Sequence, residues 1–184
     1  MLLSYVAGLY TAPTAGTPMV GHDWVEVAVG AGVLGDRYAL GLGHWSDPRW
    51  PDQEVTLVEI EVAEALAVDA GALRRNIVTR GLRLDRLIGA SFHIGEIDAV
   101  ELEGVRPCDP CGYLEELTRP GLASELRTRG GLRARVLRGG RIAVGDRVYV
   151  GNGQPDLSPG LSPTGGEEMD GIGGQSVQFV EKWV

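Results

Sequence analysis

The sequence predicts a mainly β protein with a few short helices, an α+β fold whose strands form a closed or half-closed β-barrel. Short runs rich in β-branched residues recur along the chain, and each is bounded by glycine. Long stretches with helical periodicity are few. Many short strands favour a closed sheet, because closure removes the exposed edges on which other chains would pair.

The predicted strands in chain order are LLSYVAGLY, WVEVAVG, VTLVEI, NIVTRG, ASFHIG, AVELEGV and LRARVLRGGRIAVGDRVYVG. The last run carries Gly139 and Gly140 between alternating, β-branched flanks. Adjacent glycines supply the positive φ angles of a tight turn, so this run predicts a β-hairpin with a two-residue turn.

Two helices are predicted between the strands. Residues 59–70 place apolar side chains on one face with glutamates outside, and Gly71 is the predicted stop. Residues 120–129 repeat leucine at a spacing of four and end at a glycine pair. The glycine, proline and tryptophan of residues 39–53 predict a long loop, a kind of segment that often carries function.

The chain of 184 residues, 43% hydrophobic, has the size of a single domain, which we assign to residues 1–150. Residues 151–175 hold eight glycines, three prolines and no basic residue, too little apolar surface to offset the entropy of ordering. Residues 151–184 are therefore predicted to be a Gly/Pro-rich flexible tail. Its last residues, SVQFVEKWV, alternate as a strand does and are suited to docking on a sheet edge or a partner.

The net charge of -8 argues against nucleic acid and anionic membranes as partners. Arginine outnumbers lysine sixteen to one, and fourteen arginines against ten acids make residues 74–147 locally positive. Planar guanidinium groups suit phosphate and carboxylate. A genome-wide preference for arginine codons explains the ratio itself better, so the positions of the arginines are the more useful observation. The sequence shows no signal-peptide pattern and no run of membrane-spanning length, so we expect a cytoplasmic protein.

Both cysteines lie in the stretch VRPCDPCGYLEEL, residues 105–117. Asp109 followed by Pro110 is typical of an N-cap and first helical residue, which would place Cys108 just before a helix N-terminus. The partial positive charge of that terminus, with Arg106 nearby, would favour the thiolate.

Several interpretations of the cysteine pair remain open. Zinc would need further ligands, and His22, His44 and His93 are scattered without metal-ligand spacing, so we expect no zinc. A redox pair is chemically sound, although the βαβ context of thioredoxin-like proteins is missing. Alternatively, Cys108 is a single working thiolate with Cys111 as a bystander or resolving thiol. Both could also be small buried apolar side chains.

Five motifs together resemble the MOSC family, the type of domain found at the C-terminus of molybdenum-cofactor sulfurases and in stand-alone bacterial relatives. They are, in order, GVLGDRY (32–38), RRNIVTRG (74–81), IGASFHIG (88–95), VRPC (105–108) and RVLRGGRIAVGD (135–146). The resemblance implies a MOSC-type β-barrel over about residues 30–150.

The resemblance also implies roles for particular residues. The cysteine after Arg-Pro, here Cys108, carries sulfur or ligates molybdenum of the pterin cofactor. A basic strip holding the cofactor phosphate maps onto Arg75, Asn76, Arg80 and Arg106. For Asn76 a hydrogen bond to backbone is an equal alternative, and Asp36 with Arg37 is expected to be a structural pair.

The sequence therefore predicts a protein that binds molybdenum cofactor or carries its sulfur through Cys108, in reduction of N-hydroxylated compounds or in sulfur transfer with a donor or redox partner. Pyridoxal phosphate chemistry belongs to the larger sulfurase, since the one lysine here is Lys182. The alternatives are a non-catalytic adaptor that binds a phosphate ligand or a protein, and a redox switch through Cys108 and Cys111.

Overall fold

The structure is a computed structural model that describes residues 4–49, 52–96 and 100–150. The predicted tail, residues 151–184, lies outside the described residues. Within the described ranges the mainly β class is confirmed. The strands are β1 (Tyr5–Thr11), β2 (Val20–His22), β3 (Trp24–Ala28), β4 (Gly32–Val33), β5 (Val55–Glu59), β6 (Ile77–Arg80), β7 (Ser91–Ile94), β8 (Val100–Pro107), β9 (Leu132–Arg138), β10 (Gly140–Ala143) and β11 (Val148–Val150).

These strands form one large sheet and one small sheet. The large sheet has eight strands in the order β11-β7-β8-β9-β5-β6-β1-β2, and the small sheet has the order β10-β3-β4. Strands β5 and β6 are parallel, and every other described pairing of strands is antiparallel. An isolated bridge joins Tyr5 to Arg147, but no described sheet closes on itself, so the predicted closed or half-closed barrel is not confirmed.

The central strands β5 and β6 are buried on both faces. Leu57 and Ile77 face the core between the two sheets, whereas their neighbours Val58 and Val78 face a second core under the helices. Successive side chains of a strand point to opposite faces, so a run of apolar residues serves both cores. The region around these strands is consequently fixed from both sides.

The predicted hairpin at Gly139 and Gly140 is wrong. Strand β9 pairs with β5 and β8 in the large sheet, whereas β10 pairs with β3 in the small sheet. The two glycines carry the chain from one sheet to the other: Gly140 has φ +151°, and a Cβ on Gly139 would lie 2.5 Å from the carbonyl oxygen of Val27. They allow a close crossing of strands and not a turn within one ladder.

The helices are shorter than predicted: α1 is Ile60–Ala65, α2 is Gly112–Glu116 and α3 is Leu122–Glu125. Two 3-10 helices span Gly71–Leu73 and Leu84–Leu87. Helix α1 ends early because Ala67 is left-handed, with φ +51°, and Val68 N–H donates to the Ala63 carbonyl in a Schellman arrangement. No helix in the described part of the chain is long and apolar enough to cross a membrane.

Candidate functional site

Cys108 lies immediately after β8, at the point where that strand leaves the large sheet. Its backbone N–H donates to the Gly131 carbonyl at 2.8 Å, which extends the pairing of β8 with β9 by one residue. The residue is buried, at 2% exposure, and forms part of the wall of two cavities. Cys108 is thus shielded from bulk solvent but adjoins space that a ligand can occupy.

The predicted helix start at Asp109 and Pro110 is wrong. Helix α2 begins at Gly112 with Cys111 as its N-cap residue, four residues after Cys108. The backbone of Cys108 is held by strand pairing, and the carboxylate of Asp109 lies 3.9 Å from Arg106 Nη1 instead of capping the helix. A helix terminus therefore does not stabilise a Cys108 thiolate, and the arginines nearby are the remaining source of positive charge.

Two glycines allow β9 to approach the cysteine turn. A Cβ on Gly130 would lie 2.4 Å from the Cys108 carbonyl oxygen. Gly131 has φ +106°, and a Cβ there would lie 1.9 Å from the Leu57 carbonyl oxygen. Both contacts are far inside van der Waals distance, so larger residues at these positions would push the Cys108 turn away from β5.

The smaller cavity beside Cys108, which we call the arginine pocket, has a volume of about 50 Å³. Four arginines line it and no carboxylate does. Its charged and sulfur-bearing residues are Arg37, Arg74, Arg75, Arg133, Cys108 and Cys111. Arg37 pairs with the buried Asp36, whereas the other three arginines form no ion pair among the described residues. This excess of positive charge would favour an anion in the pocket.

Two buried guanidinium nitrogens of this pocket's residues, Arg74 Nη2 and Arg133 Nε, have no hydrogen-bond partner among the described residues. Buried polar groups are normally hydrogen-bonded, and an unpaired one costs free energy. Burial, and then the charge of Arg37, lowers the pKa of Arg74 below its usual value. Arg74 is also left-handed at φ +59°, a strained conformation for a residue other than glycine. An anion in the pocket would satisfy the nitrogens and relieve the repulsion.

Of two neighbouring residues predicted to bind the cofactor, Arg75 lines the arginine pocket and Asn76 does not. The hydrogen bonds of both residues are largely made within the protein. Arg75 is buried and donates to the carbonyls of Leu73, Gly130 and Cys108 at 3.1, 2.9 and 3.2 Å. It braces the cysteine turn. Asn76 accepts from Thr56 N–H at 3.2 Å and from Thr56 Oγ1 at 2.9 Å, and donates to the Tyr10 carbonyl, which is the backbone-anchoring role weighed for it from sequence.

Arg80 and Arg106, the other two predicted residues, are absent from the lining of the arginine pocket. Arg80 is the last residue of β6 and forms an ion pair with Glu64. Arg106 forms an ion pair with Asp52 through its Nε. Arg80 lies at the far end of β6 from Arg75 and Asn76. The three residues of this motif therefore cannot all contact one ligand group.

The sequence reasoning missed Arg74 and Arg133 and assigned Arg37 a purely structural role. Arg37 does pair with the buried Asp36, at 2.9 Å, but it also lines the pocket. Arg74 is the first residue of the RRN motif. Because the adjacent Arg75 was predicted to bind the cofactor, the same motif could have suggested Arg74 as well. Arg133 reaches the site through the β8–β9 register, which sets it opposite Arg106 and which the sequence alone does not specify.

Aromatic side chains form the outer wall of the arginine pocket. Tyr38, Trp45 and Tyr113 line it, and His44 stacks on Tyr113 with ring centroids 3.9 Å apart. Burial raises the pKa of Tyr38, the nearby arginines only partly opposing it, so its phenol stays protonated and available as a donor. The predicted functional loop, residues 39–53, thus contributes His44 and Trp45 to the site through its described part.

The larger cavity lies against Cys108 as well and has a volume of about 460 Å³. Four carboxylates line it together with three arginines. We call it the carboxylate cavity; its charged residues are Glu59, Glu61, Asp85, Asp109, Arg83, Arg127 and Arg129. Its size lies within the range of small-molecule sites in proteins. Cys108 consequently adjoins a cationic pocket and a larger cavity of mixed charge.

Cys108 and Cys111 are both free thiols in the structure. The described residues contain no group of three or more His, Cys, Asp or Glu side chains arranged to hold a metal ion. The donor set that the site offers is therefore a thiol, with guanidinium groups beside it. This set suits a soft metal carried within an anionic organic cofactor, where one protein thiolate completes the coordination.

Comparison with known proteins gives a consistent assignment. The family model described as "MOSC domain" matches residues 50–149, more than half of the chain. The structure resembles that of YuaD from Bacillus subtilis, with a TM-score of 0.63, 23% identity, and coverage of 79% of this chain and 94% of that one. It also resembles YiiM from Escherichia coli, with a TM-score of 0.57, 17% identity, and coverage of 83% and 71%.

A second YiiM structure, from Geobacillus stearothermophilus, has a TM-score of 0.52, 19% identity, and coverage of 83% of this chain and 75% of that one. A search of curated proteins finds no match. At these identities the structural likenesses speak for a shared fold. The family model and the cysteine that follows Arg-Pro at the end of β8 agree with them, and the chain belongs to the MOSC domain family.

Proposed function

We propose that this protein acts through Cys108 in one of two ways: it binds a molybdopterin-type cofactor and reduces N-hydroxylated compounds, or it carries the sulfur of that cofactor. One observation supports the proposal above the others. Cys108 adjoins a pocket of four arginines, in which two buried guanidinium nitrogens have no partner among the described residues. A thiol beside a cationic pocket suits a ligand that has both a thiophilic centre and an anionic group.

The residues present fit such a cofactor. The arginine pocket, at about 50 Å³, is large enough for a small anionic group and too small for a pterin ring. Arg74 and Arg133 would hold that anionic group with their unpaired donors, and Arg37 would add its charge. Tyr38 and Tyr113, which line the same pocket, would help to hold the organic part.

The chain's own residues have distinct tasks in this function. Cys108 supplies the thiolate, and Arg75 fixes the turn that carries it through the Cys108 carbonyl. Tyr38 keeps its proton and offers a hydrogen-bond donor at the pocket. When bound, the cofactor would supply two-electron chemistry; reduction of R–NHOH consumes two electrons and two protons and yields R–NH₂ and water. A redox protein would provide the electrons.

Sulfur carriage uses the same thiolate without net redox change. The Cys108 thiolate would attack the outer sulfur of a donor persulfide, forming a Cys108 persulfide and releasing the donor thiolate. The partner would then be a sulfur-donor protein. Both forms need free thiols, as the structure has them, and we place the protein in the reducing cytoplasm.

The test is reduction of an N-hydroxylated base by protein expressed in a cofactor-producing host, supplied with a chemical electron donor. Cys108→Ser should lose at least about 100-fold in activity, because serine is a poor substitute for a soft thiolate. Cys111→Ser is the matched control, three residues away in the same pocket, and should keep most of the activity. Full activity in Cys108→Ser would refute both forms of the proposal. Molybdenum in the active protein indicates the reductase, whereas a Cys108 persulfide found by mass spectrometry without metal indicates the carrier.

Two other functions keep a specific observation in their favour. The arginine pocket alone would serve a non-catalytic adaptor that binds a phosphate ligand; in that case deletion of residues 151–184 would abolish function while Cys108→Ser would not.

Cys108 and Cys111 line the same pocket, which favours a redox switch. Hydrogen peroxide would then oxidise both thiols to a disulfide and be reduced to two waters, and a protein that keeps two titratable thiols after peroxide excludes the switch.

A further inference from the structure

The outward face of the small sheet is exposed and largely apolar. Val25 and Val27 of β3 are buried in the core between the sheets, so the alternate side chains of that strand point outward. One of these, Trp24, is 49% exposed, and Leu34, which follows β4, is 47% exposed. We call this surface the small-sheet face; its residues are Trp24, Glu26, Ala28, Leu34, Arg141 and Ala143. Large apolar side chains grouped on an exposed face mark an interaction surface.

Two residues of opposite charge lie at the centre of this face. Arg141 of β10 is directly across from Glu26 of β3, and neither side chain forms an ion pair among the described residues. The Arg141 guanidinium lies over the ring of Trp24 instead, 4.6 Å from the ring centroid. This cation–π contact holds the tryptophan in place and leaves the guanidinium N–H groups without a described acceptor.

The outward face of the large sheet arranges its charges differently. There Glu103 pairs with Arg135 at 2.7 Å, and Glu101 pairs with Arg138 at 3.1 Å, in both cases between β8 and β9. Opposite charges on neighbouring strands stabilise a sheet by pairing in this way. The two central charges of the small-sheet face depart from this pattern although they are direct cross-strand neighbours. Both are therefore available to a partner outside the chain.

We infer that the small-sheet face is the contact surface of a homodimer, in which two copies of the chain pack face to face about a two-fold axis. An axis parallel to the strands and midway between β3 and β10 exchanges the positions of these two strands. Each Arg141 then lies over Glu26 of the partner copy, and each Trp24 lies over Ala143 of the partner copy, because these residues are cross-strand partners. The face is thus complementary to itself in charge and in side-chain size.

The composition of the face supports this packing. Tryptophan and arginine are the residue types most enriched among those that dominate binding energy at protein interfaces. The small side chains of Ala28 and Ala143 let two aligned sheets approach to about 10 Å. The face spans only three strands, of two to five residues each, so we expect a weak dimer with a dissociation constant on the order of 10 µM.

The proposed dimer is independent of the proposed function. No residue of the small-sheet face lines the arginine pocket or the carboxylate cavity. Loss of the dimer and loss of chemistry at Cys108 can therefore be measured separately, and either result leaves the other proposal unchanged.

Sedimentation equilibrium of the full-length protein between about 2 and 200 µM measures the dimer. Trp24→Ser should raise the dissociation constant at least about tenfold, because it removes the largest apolar side chain of the face. Val20→Ser is the matched control: Val20 is also exposed, at 54%, but it lies on β2 of the large sheet. It should change the dissociation constant less than about twofold.

Exchange of the two charges tests the two-fold geometry. Glu26→Arg should weaken the dimer at least about tenfold, because it sets an arginine over Arg141 of the partner copy. Adding Arg141→Glu restores opposite charges and should make the dimer at least about fivefold tighter than in Glu26→Arg alone. Urea denaturation checks that each variant is folded. A parent protein that stays monomeric at about 200 µM, whether the face binds another protein or residues 176–184, would overturn the inference. A dimer that neither Trp24→Ser nor Glu26→Arg weakens would do so too.

Discussion

At the scale of single residues, the site depends on arginines that differ in how many of their donors are already bound. Arg75 donates hydrogen bonds to three backbone carbonyls. Arg74 and Arg133 each have one buried nitrogen without a hydrogen-bond partner among the described residues. Arg75 therefore stabilises the backbone around Cys108, whereas Arg74 and Arg133 each keep a donor that an anion could use. Residue type alone does not distinguish them, because bound and unbound donors are properties of the packed structure.

The anion site can be tested with inorganic phosphate. Arg133→Gln should weaken phosphate binding about tenfold, because it removes a charge and an unpaired donor from the arginine pocket. Arg135→Gln is the control: Arg135 is exposed, lies two residues further along β9 and pairs with Glu103 at 2.7 Å. Equal phosphate affinity in the two variants, measured by calorimetry at low salt, would contradict the site.

At the scale of elements, the site is a junction between the end of β8, the start of β9 and the segment before β6. Arg75 joins them through the Cys108, Gly130 and Leu73 carbonyls. Its guanidinium fork reaches in several directions at once, which lysine cannot do. The position of the Cys108 sulfur therefore depends on a residue that lies 33 positions earlier in the chain.

Arg75→Lys should lower the free energy of unfolding by about 2 to 4 kcal/mol, because it leaves at least two buried carbonyls without a donor. Arg86→Lys should change it by less than about 0.5 kcal/mol, since Arg86 is exposed, its side chain makes no described hydrogen bond, and lysine keeps the charge. Urea denaturation provides both values. A loss below about 1 kcal/mol for Arg75→Lys would show that the brace is unimportant.

The sequence allowed prediction of the strand-rich class and of the MOSC family, whose model matches residues 50–149. The roles assigned to Cys108, Arg75 and Asn76 stay predictions. The sequence did not allow prediction of Arg133, whose place follows from the pairing of β8 with β9. The helix predicted to start at Asp109 starts at Gly112 instead. The backbone N–H of Cys108 donates to the Gly131 carbonyl, so strand pairing continues past Pro107. The hairpin at Gly139 fails because tertiary contacts with β3 outweigh the local turn preference.

At the scale of the whole molecule, the free energy of unfolding at acid pH should depend on how the segment before β5 is attached to the large sheet. Asp52 pairs with Arg106 on β8, while the Arg133 Nη1 donates to the Asp52 carbonyl at 3.4 Å. Burial alone would raise the pKa of Asp52, but the hydrogen bond and charge of Arg106, together with the charge of Arg133, leave it below its usual value.

A lowered pKa in the folded state stabilises the fold above the unfolded pKa of about 4, and that contribution is lost as the pH falls through the folded pKa. Asp52→Asn should therefore cost about 1 kcal/mol at pH 7, and the difference from the parent should vanish near pH 2. Asp85→Asn, which removes an exposed pair, should cost less than about 0.5 kcal/mol. A constant difference across this pH range, measured by urea denaturation, would refute the assignment.

In the described part of the molecule, two cavities with different charge adjoin the buried Cys108. The arginine pocket has four cations, and the carboxylate cavity has an excess of acids, although the chain carries a net charge of -8. A negative net charge argues against general anion binding, so any affinity for an anion would depend on local charge. The local positive charge of the arginine pocket is the physical reason for proposing an anionic cofactor beside Cys108.

The most direct measurement is the molybdenum and pterin content of the full-length protein purified from a cofactor-producing host, beside Cys108→Ser prepared identically. The account predicts close to one pterin per chain in the parent protein and a loss of at least about tenfold in the variant. A variant that retains the parent's pterin content, or a parent protein with neither pterin nor a Cys108 persulfide, would contradict the account.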